Sequence, residues 1–351
     1  MSGDSIQWRS AGDAVFTVNG LWWFGENGGD WMRLPKRARD VVRPDVWSLA
    51  QMPSGGRVRF RSDTGALKVK VLHGGDSIAM WHMSSVACAG IDLYVGPPET
   101  TTFWRTTVPA SAGEEYECLY FENQPRVMRE FTLYLPVYAR LERLSIGTDA
   151  DATIEPPSPF RMDKPIVVYG TSITQGGCSS RVATGFVPLL GRLLGMDVVN
   201  LGFSGNGICE PEMAELIAEI DAAAYLIDPV ANMAKWSSQE RPEVYCRFLE
   251  IIRSRRPDTP MILMTRSSYA AELFGARESA DQMNAIVEIG YQRRKTAGDA
   301  SVHYFDTRIV VPAGPDHPSV DGGHLTDVGF KQIADALAPL LAKLLTLPMP
   351  H

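Results

Sequence analysis

The chain is poor in the features that would fix its class at once. It has no long apolar run: with 45% apolar and 21% charged residues over 351 positions, the hydrophobic stretches fall well short of a membrane span. It has no excess of positive charge either. A net charge of -7 excludes the positive surface that a nucleic-acid binder needs in order to release phosphate counterions, so neither nucleic acid nor membrane is expected as a partner. Cysteine is scarce and unpaired in pattern. Cys88, Cys118, Cys178, Cys209 and Cys246 are an odd set with no C-x-x-C spacing, which fits neither a disulfide framework nor a zinc knuckle. They read as core residues or free thiols, with Cys178, close to Ser172 in sequence, the one that could line a site there. The first residues offer neither a basic nor an apolar signal segment, so a cytoplasmic location is the default expectation.

What is present falls into two patterns. From about residue 15 to 150 short alternating runs separated by turns predict an all-β region, a sandwich of jelly-roll type, with almost no helical periodicity. The clearest strands are 58–61, 67–72, 91–95, 130–135 and 144–146, each expected to set one face on a core and the other in water. The turn 63–65 joins two of them at hairpin distance. The tryptophan-rich stretch 21–31 admits packing or a stacking platform at the mouth of a site. Residues 151–165 hold four prolines and predict a stiff linker, so the expected division is 1–155, a linker 156–165, and 166–351.

After Pro165 the strands 166–169, 197–201, 224–227, 261–265 and 302–305 alternate with helical spacing around 186–194, 211–220, 242–255, 280–295 and 326–347. This alternation predicts an α/β domain with a parallel sheet covered on both faces.

The first of these strands breaks at Gly170 and delivers Ser172 just past its C-terminal end, where α/β sheets place their ligands. A serine hydroxyl is a weak nucleophile and needs a base and oxyanion donors. His324 precedes the last helix, for which Thr326 is a plausible N-cap, and Asp321 stands three residues before it, placed to hold an imidazole tautomer. His317 is a rival base. His73, His82 and His303 lie in or near strand patterns and read as packing histidines. Gly205, in the glycine block 200–207, and Asn232, after the third strand, are candidate oxyanion donors. Asp316, His317, Asp321 and His324 could alternatively bind a divalent ion, which would leave Ser172 and the glycines without a role. No cofactor is expected.

Gly170-Thr171-Ser172-Ile173-Thr174, the glycine block, Asn232 and Asp321-x-x-His324 together resemble, in order, the four blocks of the SGNH (GDSL-like) hydrolase family. Gly90-Ile91-Asp92-Leu93-Tyr94 is similar to the G-x-D-L-Y signature of the β-domain preceding some of these hydrolases. The third block departs from the usual Gly-x-Asn-Asp, since this chain has Asp228-Pro229-Val230-Ala231-Asn232-Met233. The resemblance implies a flavodoxin-like three-layer α/β/α domain and a serine esterase. In it Ser172 would be the nucleophile, His324 the base and Asp321 the acid, with the Ser172 N–H, Gly205 and Asn232 as the oxyanion hole. The implied substrate is a carbohydrate-type or other small ester, acetyl most plausibly. Acyl transfer through the same acyl-enzyme and non-catalytic ligand binding are the alternatives.

Overall fold

A computed structural model describes residues 5–75 and 77–349. The N-terminal region comprises β1 (Ile6–Ser10), β2 (Thr17–Asn19), α1 (Pro44–Ala50), β3 (Arg57–Ser62), β4 (Leu67–His73), α2 (Ser85–Ala89), β5 (Asp92–Val95), β6 (Thr102–Thr106), β7 (Tyr116–Phe121), β8 (Arg129–Tyr134), β9 (Leu141–Asp149) and β10 (Ile154–Glu155). The strands form two antiparallel sheets, β1-β9-β4-β7 and β10-β3-β8-β5-β6 with β2 also on β3. Val58, Phe60, Val69, Val71, Phe131 and Ile146 fill the space between them. Sandwich packing of this kind follows from strands with one apolar face each.

Three expectations need correction here. Residues 63–65 do not close a hairpin: β3 and β4 lie in different sheets, and the turn crosses between them while Gly65 donates its N–H to Asp149 at 2.6 Å. Turn chemistry alone cannot tell a hairpin from such a crossing. Second, the polar face of β3 is not in water. Arg57 and Arg59 are almost fully buried, because Arg57 reaches Asp197 of the α/β domain while Arg59 pairs with Glu130 of β8 at 2.8 Å and donates to Ser158 O, between the two domains, at 2.7 Å. Third, the region is not wholly β. The helix α1, opened by Pro44 at its first turn, is too short to show a period, and the segment 23–50 packs Trp23, Leu34, Val46 and Ala50 on the other domain. Trp31 is buried in the sandwich, so Trp23 and Trp31 serve packing rather than a stacking platform.

Residues 156–165 cross to the second region without helix or strand, and Phe160 lies under the guanidinium of Arg59 at 4.0 Å. There β11 (Ile166–Gly170), α3 (Ser172–Gln175), α4 (Phe186–Leu194), β12 (Val198–Gly202), α5 (Pro211–Glu219), β13 (Ala224–Asp228), α6 (Arg241–Arg255), β14 (Met261–Met264), α7 (Arg277–Thr296), β15 (Val302–Phe305), α8 (Thr307–Val310) and α9 (Asp327–Leu344) follow. The parallel sheet runs β12-β11-β13-β14-β15, the flavodoxin-like order. Its strands are apolar on both faces: Val167 and Tyr169 meet α5, α6 and α7, whereas Ile166 and Val168 meet α4 and α9. Thr326 does occupy the N-cap of α9, but its hydroxyl bonds Pro318 O at 3.3 Å instead of capping.

Candidate active site

The strand order reverses around β11, and the carboxyl ends of β11, β12 and β13 open on one crevice there. The turn that carries Ser172 is a short helix rather than an open turn. Thr171 caps α3, and Ser172 begins it with its side chain only 8% exposed. Ser172 Oγ lies 2.9 Å from His324 Nε2, and His324 Nδ1 lies 2.7 Å from Asp321 Oδ2. The other oxygen of Asp321 accepts the backbone N–H groups of Gly323 and His324 at 3.0 and 2.8 Å. Burial pushes the Asp321 carboxyl up, but the backbone N–H and ring of His324 and the N–H of Gly323 outweigh it and bring the carboxyl to about 2. Asp321 is therefore ionised at neutral pH, and it holds the proton of the imidazole on Nδ1. Nε2 is left as an acceptor toward the serine.

Gly205 has φ +67, a conformation glycine adopts without strain, and its N–H and that of Ser172 engage no hydrogen bond among the described residues. Asn232 sits in a 3-10 turn after β13, where its Oδ1 accepts the Gly207 N–H at 3.2 Å. Its amide nitrogen is thereby left for the crevice. Ser172, Gly205, Asn232, Asp321 and His324 all line one cleft of about 720 Å³, so the structure brings together the five residues of the four sequence blocks. Close backbone approach makes this possible. A Cβ on Gly207 would stand 2.0 Å from Gly170 O, so the glycine block can lie directly against the nucleophile strand.

The rivals are disposed of by their bonds. His317 is committed on both nitrogens, to Ser319 Oγ at 2.8 Å and to Ser268 O at 2.9 Å. His73 is buried against Tyr116, a packing histidine as expected. Asp316, His317, Asp321 and His324 do not converge their ligand atoms among the described residues.

Two neighbours of the site, His82 and Gln175, escaped the sequence reading. His82 is no packing histidine: it lies on a loop of the β-region, stacked on Trp81 at 4.2 Å and edge-on to His324 at 5.5 Å. Burial, together with the neighbouring His324, holds His82 below the usual histidine range, so it is neutral at pH 7. Cys178 does adjoin the site, but burial pushes its thiol up to about 12, which rules it out as a rival nucleophile at neutral pH. Gln175 ties the site together, donating to Val137 O at 3.1 Å and accepting the Ser204 N–H at 2.9 Å. No local sequence signal marks His82, because the loop that carries it meets the site only through the packing of the two domains.

Family comparison follows the geometry. The model of the GDSL-like lipase/acylhydrolase family matches residues 163–342, about half of the chain, and that of the N-terminus of SGNH-hydrolase-type esterases matches 6–154. The chain belongs to the GDSL-like lipase/acylhydrolase family. It is an ester hydrolase by class. Among solved structures it is similar to a protein named as a GDSL-like lipase of Bacteroides ovatus, with 27% identity, a TM-score of 0.88, and 99% of this chain and 100% of that one covered. It shares the fold of a salicylyl-acyltransferase from a tetracycline biosynthetic pathway, at 22% identity and TM-score 0.81 over 98% and 99% of the two chains. It also shares that of a family two carbohydrate esterase from Cellvibrio japonicus, at 12% identity and TM-score 0.63 over 97% and 98%. No curated protein matches. No helix among the described residues is long and apolar enough to cross a membrane.

The G-x-D-L-Y signature also acquires a physical meaning. Asp92, fully buried, accepts Arg181 Nη1 at 3.0 Å and the Ala183 N–H at 3.2 Å, and the Tyr94 hydroxyl lies 3.2 Å from the same guanidinium. From the other side Asp327, at the start of α9, accepts the Ser180 N–H and the Thr184 hydroxyl, each at 2.8 Å. The segment after the nucleophile helix is thus held between the β-domain and the helix that follows His324.

Proposed function

We propose that this ester hydrolase works through Ser172, His324 and Asp321, removing a small acyl group from a carbohydrate-type or other small ester. The observation that carries the reading is the unbroken chain of short contacts from Asp321 through His324 to the Ser172 hydroxyl, opening on a cleft with unspent donors. His324 Nε2 takes the serine proton as Oγ bonds to the ester carbonyl carbon. The oxyanion is received by the N–H groups of Ser172 and Gly205 and the Asn232 amide. Collapse of this intermediate breaks the bond to the alcohol oxygen, to which His324 returns the proton, and a water deprotonated by the same nitrogen then releases the acid.

The cleft volume is that of a drug-sized ligand, which leaves room for a small acyl group together with a sugar-sized alcohol. Carbohydrate esterases among the similar folds support a sugar as the alcohol. Acyl transfer uses the same first half-reaction. Trp81, 81% exposed beside the base, offers an acceptor alcohol a surface on which to displace water.

Intact-mass measurement after fluorophosphonate treatment tests the nucleophile. One adduct that maps to Ser172 and disappears in Ser172→Ala is expected; a folded protein that takes no adduct would overturn the reading. A panel of acetylated sugars, with and without added alcohols, then separates hydrolysis from transfer by whether acid or new ester accumulates.

A further inference from the structure

Above the nucleophile, one ring nitrogen from each of His82 and His324 and the sulfur of Cys178 all lie within 4.8 Å of one another. The three come from separate parts of the fold: the 77–84 loop of the β-domain, the turn after α3, and the loop before α9. Two imidazoles and a thiol form a donor set that selects zinc and similar thiophilic cations over magnesium or calcium. Zinc holds nitrogen at about 2.0–2.1 Å and sulfur at about 2.3 Å, so a tetrahedral site wants its ligand atoms roughly 3.3–3.6 Å apart. Side-chain rotation of about an ångström closes the difference. His82 is free to make it, because its buried Nδ1 has no hydrogen-bond partner to give up. Ser172 Oγ lies beside this set, 2.9 Å from His324 Nε2.

We propose that His82, Cys178 and His324 form an inhibitory site for a thiophilic divalent cation, zinc by chemistry, that switches the esterase off. Binding breaks the Cys178 S–H bond and releases that proton to solvent, while the sulfur and both imidazoles donate lone pairs to the metal. His324 keeps its Nδ1 proton on Asp321 and surrenders Nε2, the atom that would accept the serine proton. The base is then occupied, and removal of the cation restores it. The inhibitory consequence rests on the catalytic role proposed for His324; the metal site itself does not.

The experiment titrates zinc chloride, in a metal buffer, against hydrolysis of an activated acetate ester by the full chain, Cys178→Ser and His82→Phe. Cobalt(II) absorption is followed on the same proteins and on Ser172→Ala. Serine keeps the left-handed backbone at 178 no worse than cysteine does, and phenylalanine keeps the stack on Trp81, so both variants should retain basal activity within a few-fold. Wild type is expected to bind one zinc per chain, lose activity and regain it with chelator. Each variant should need at least the roughly 10–100-fold more zinc that loss of even an outer-shell partner costs. Cobalt should give a near-ultraviolet thiolate band in wild type and Ser172→Ala, absent from Cys178→Ser. Equal zinc sensitivity in all three active proteins, or a cobalt complex without the thiolate band, would overturn the site. A thiolate band in a chain with no esterase activity would uphold the site and remove the proposed function instead.

Discussion

Asn232 carries the sharpest consequence at the scale of single residues. Its Oδ1 is held by the Gly207 N–H, so the direction of its amide is set by the glycine block rather than by substrate. If that amide meets the oxyanion, Asn232→Ala should lower kcat by about 10²–10³ with little change in KM, as for other oxyanion donors. Steady-state kinetics on a small acetate ester measure this, and a change below about threefold would take Asn232 out of the hole. Ser172→Ala should cost far more, on the order of 10⁴–10⁶, because loss of the nucleophile disables the relay as a unit. Asp228, at the end of β13, is a different case. It is buried with the Thr174 hydroxyl at 3.0 Å, and burial pushes its carboxyl up to about 7. With the folded pKa above the unfolded one, its contribution favours the native state below about pH 4 and is lost as pH rises through about 7. Asp228→Asn should therefore flatten the stability profile between those values, by up to roughly 4 kcal/mol at the alkaline end. Thermal unfolding of the two proteins from pH 4 to 8 makes the comparison.

At the scale of elements, the parallel sheet and its long helices were legible because each strand is a continuous apolar run and each helix long enough to show its period. Four short helices were not: α1, α2, α3 and α8 span one or two turns, less than a period needs. Ser172, Gly205 and Asn232 were legible as residues after strand ends, and Asp321 and His324 as residues just before the last helix. Their convergence was implied only by the family resemblance, and the part of it that brings up Gly205 and Asn232 depends on Gly207 lying against Gly170, a contact that no spacing announces. Gly207→Ala tests that contact. The added methyl has only backbone to displace, so the loop must retreat from the nucleophile strand and take Gly205 and Asn232 with it. Activity should fall by at least about 10²-fold, as for a misplaced oxyanion donor, while circular dichroism stays native. A fully active variant would show that the close approach is incidental.

At the scale of the whole molecule, the alternation that predicted a solvated face on β3 instead recorded an interface. Polar residues at every second position look alike in a sequence whether they face water or a second domain. Arg57 and Arg59 show which it is, because a guanidinium buried this deeply stays charged only where acids and carbonyls receive it. Residues 23–50 deepen the contact by lending apolar side chains to the core of the other domain, so that each region completes the other's packing. Two domains joined in this way should unfold as one, and calorimetry of the full chain should give a single transition. Asp197 is the place to test the coupling. It sits at the start of β12 and faces Arg57, whose remaining partner there is Val198 O at 3.1 Å. Asp197→Ala strands the buried guanidinium and should cost about 3–5 kcal/mol, read from urea unfolding. If the coupling is as tight as the packing implies, the single transition moves to lower urea intact. A transition that splits in two, with the α/β signal unmoved, would mean that the β-domain rests on its partner without stabilising it, and that His82 reaches the active site by position alone.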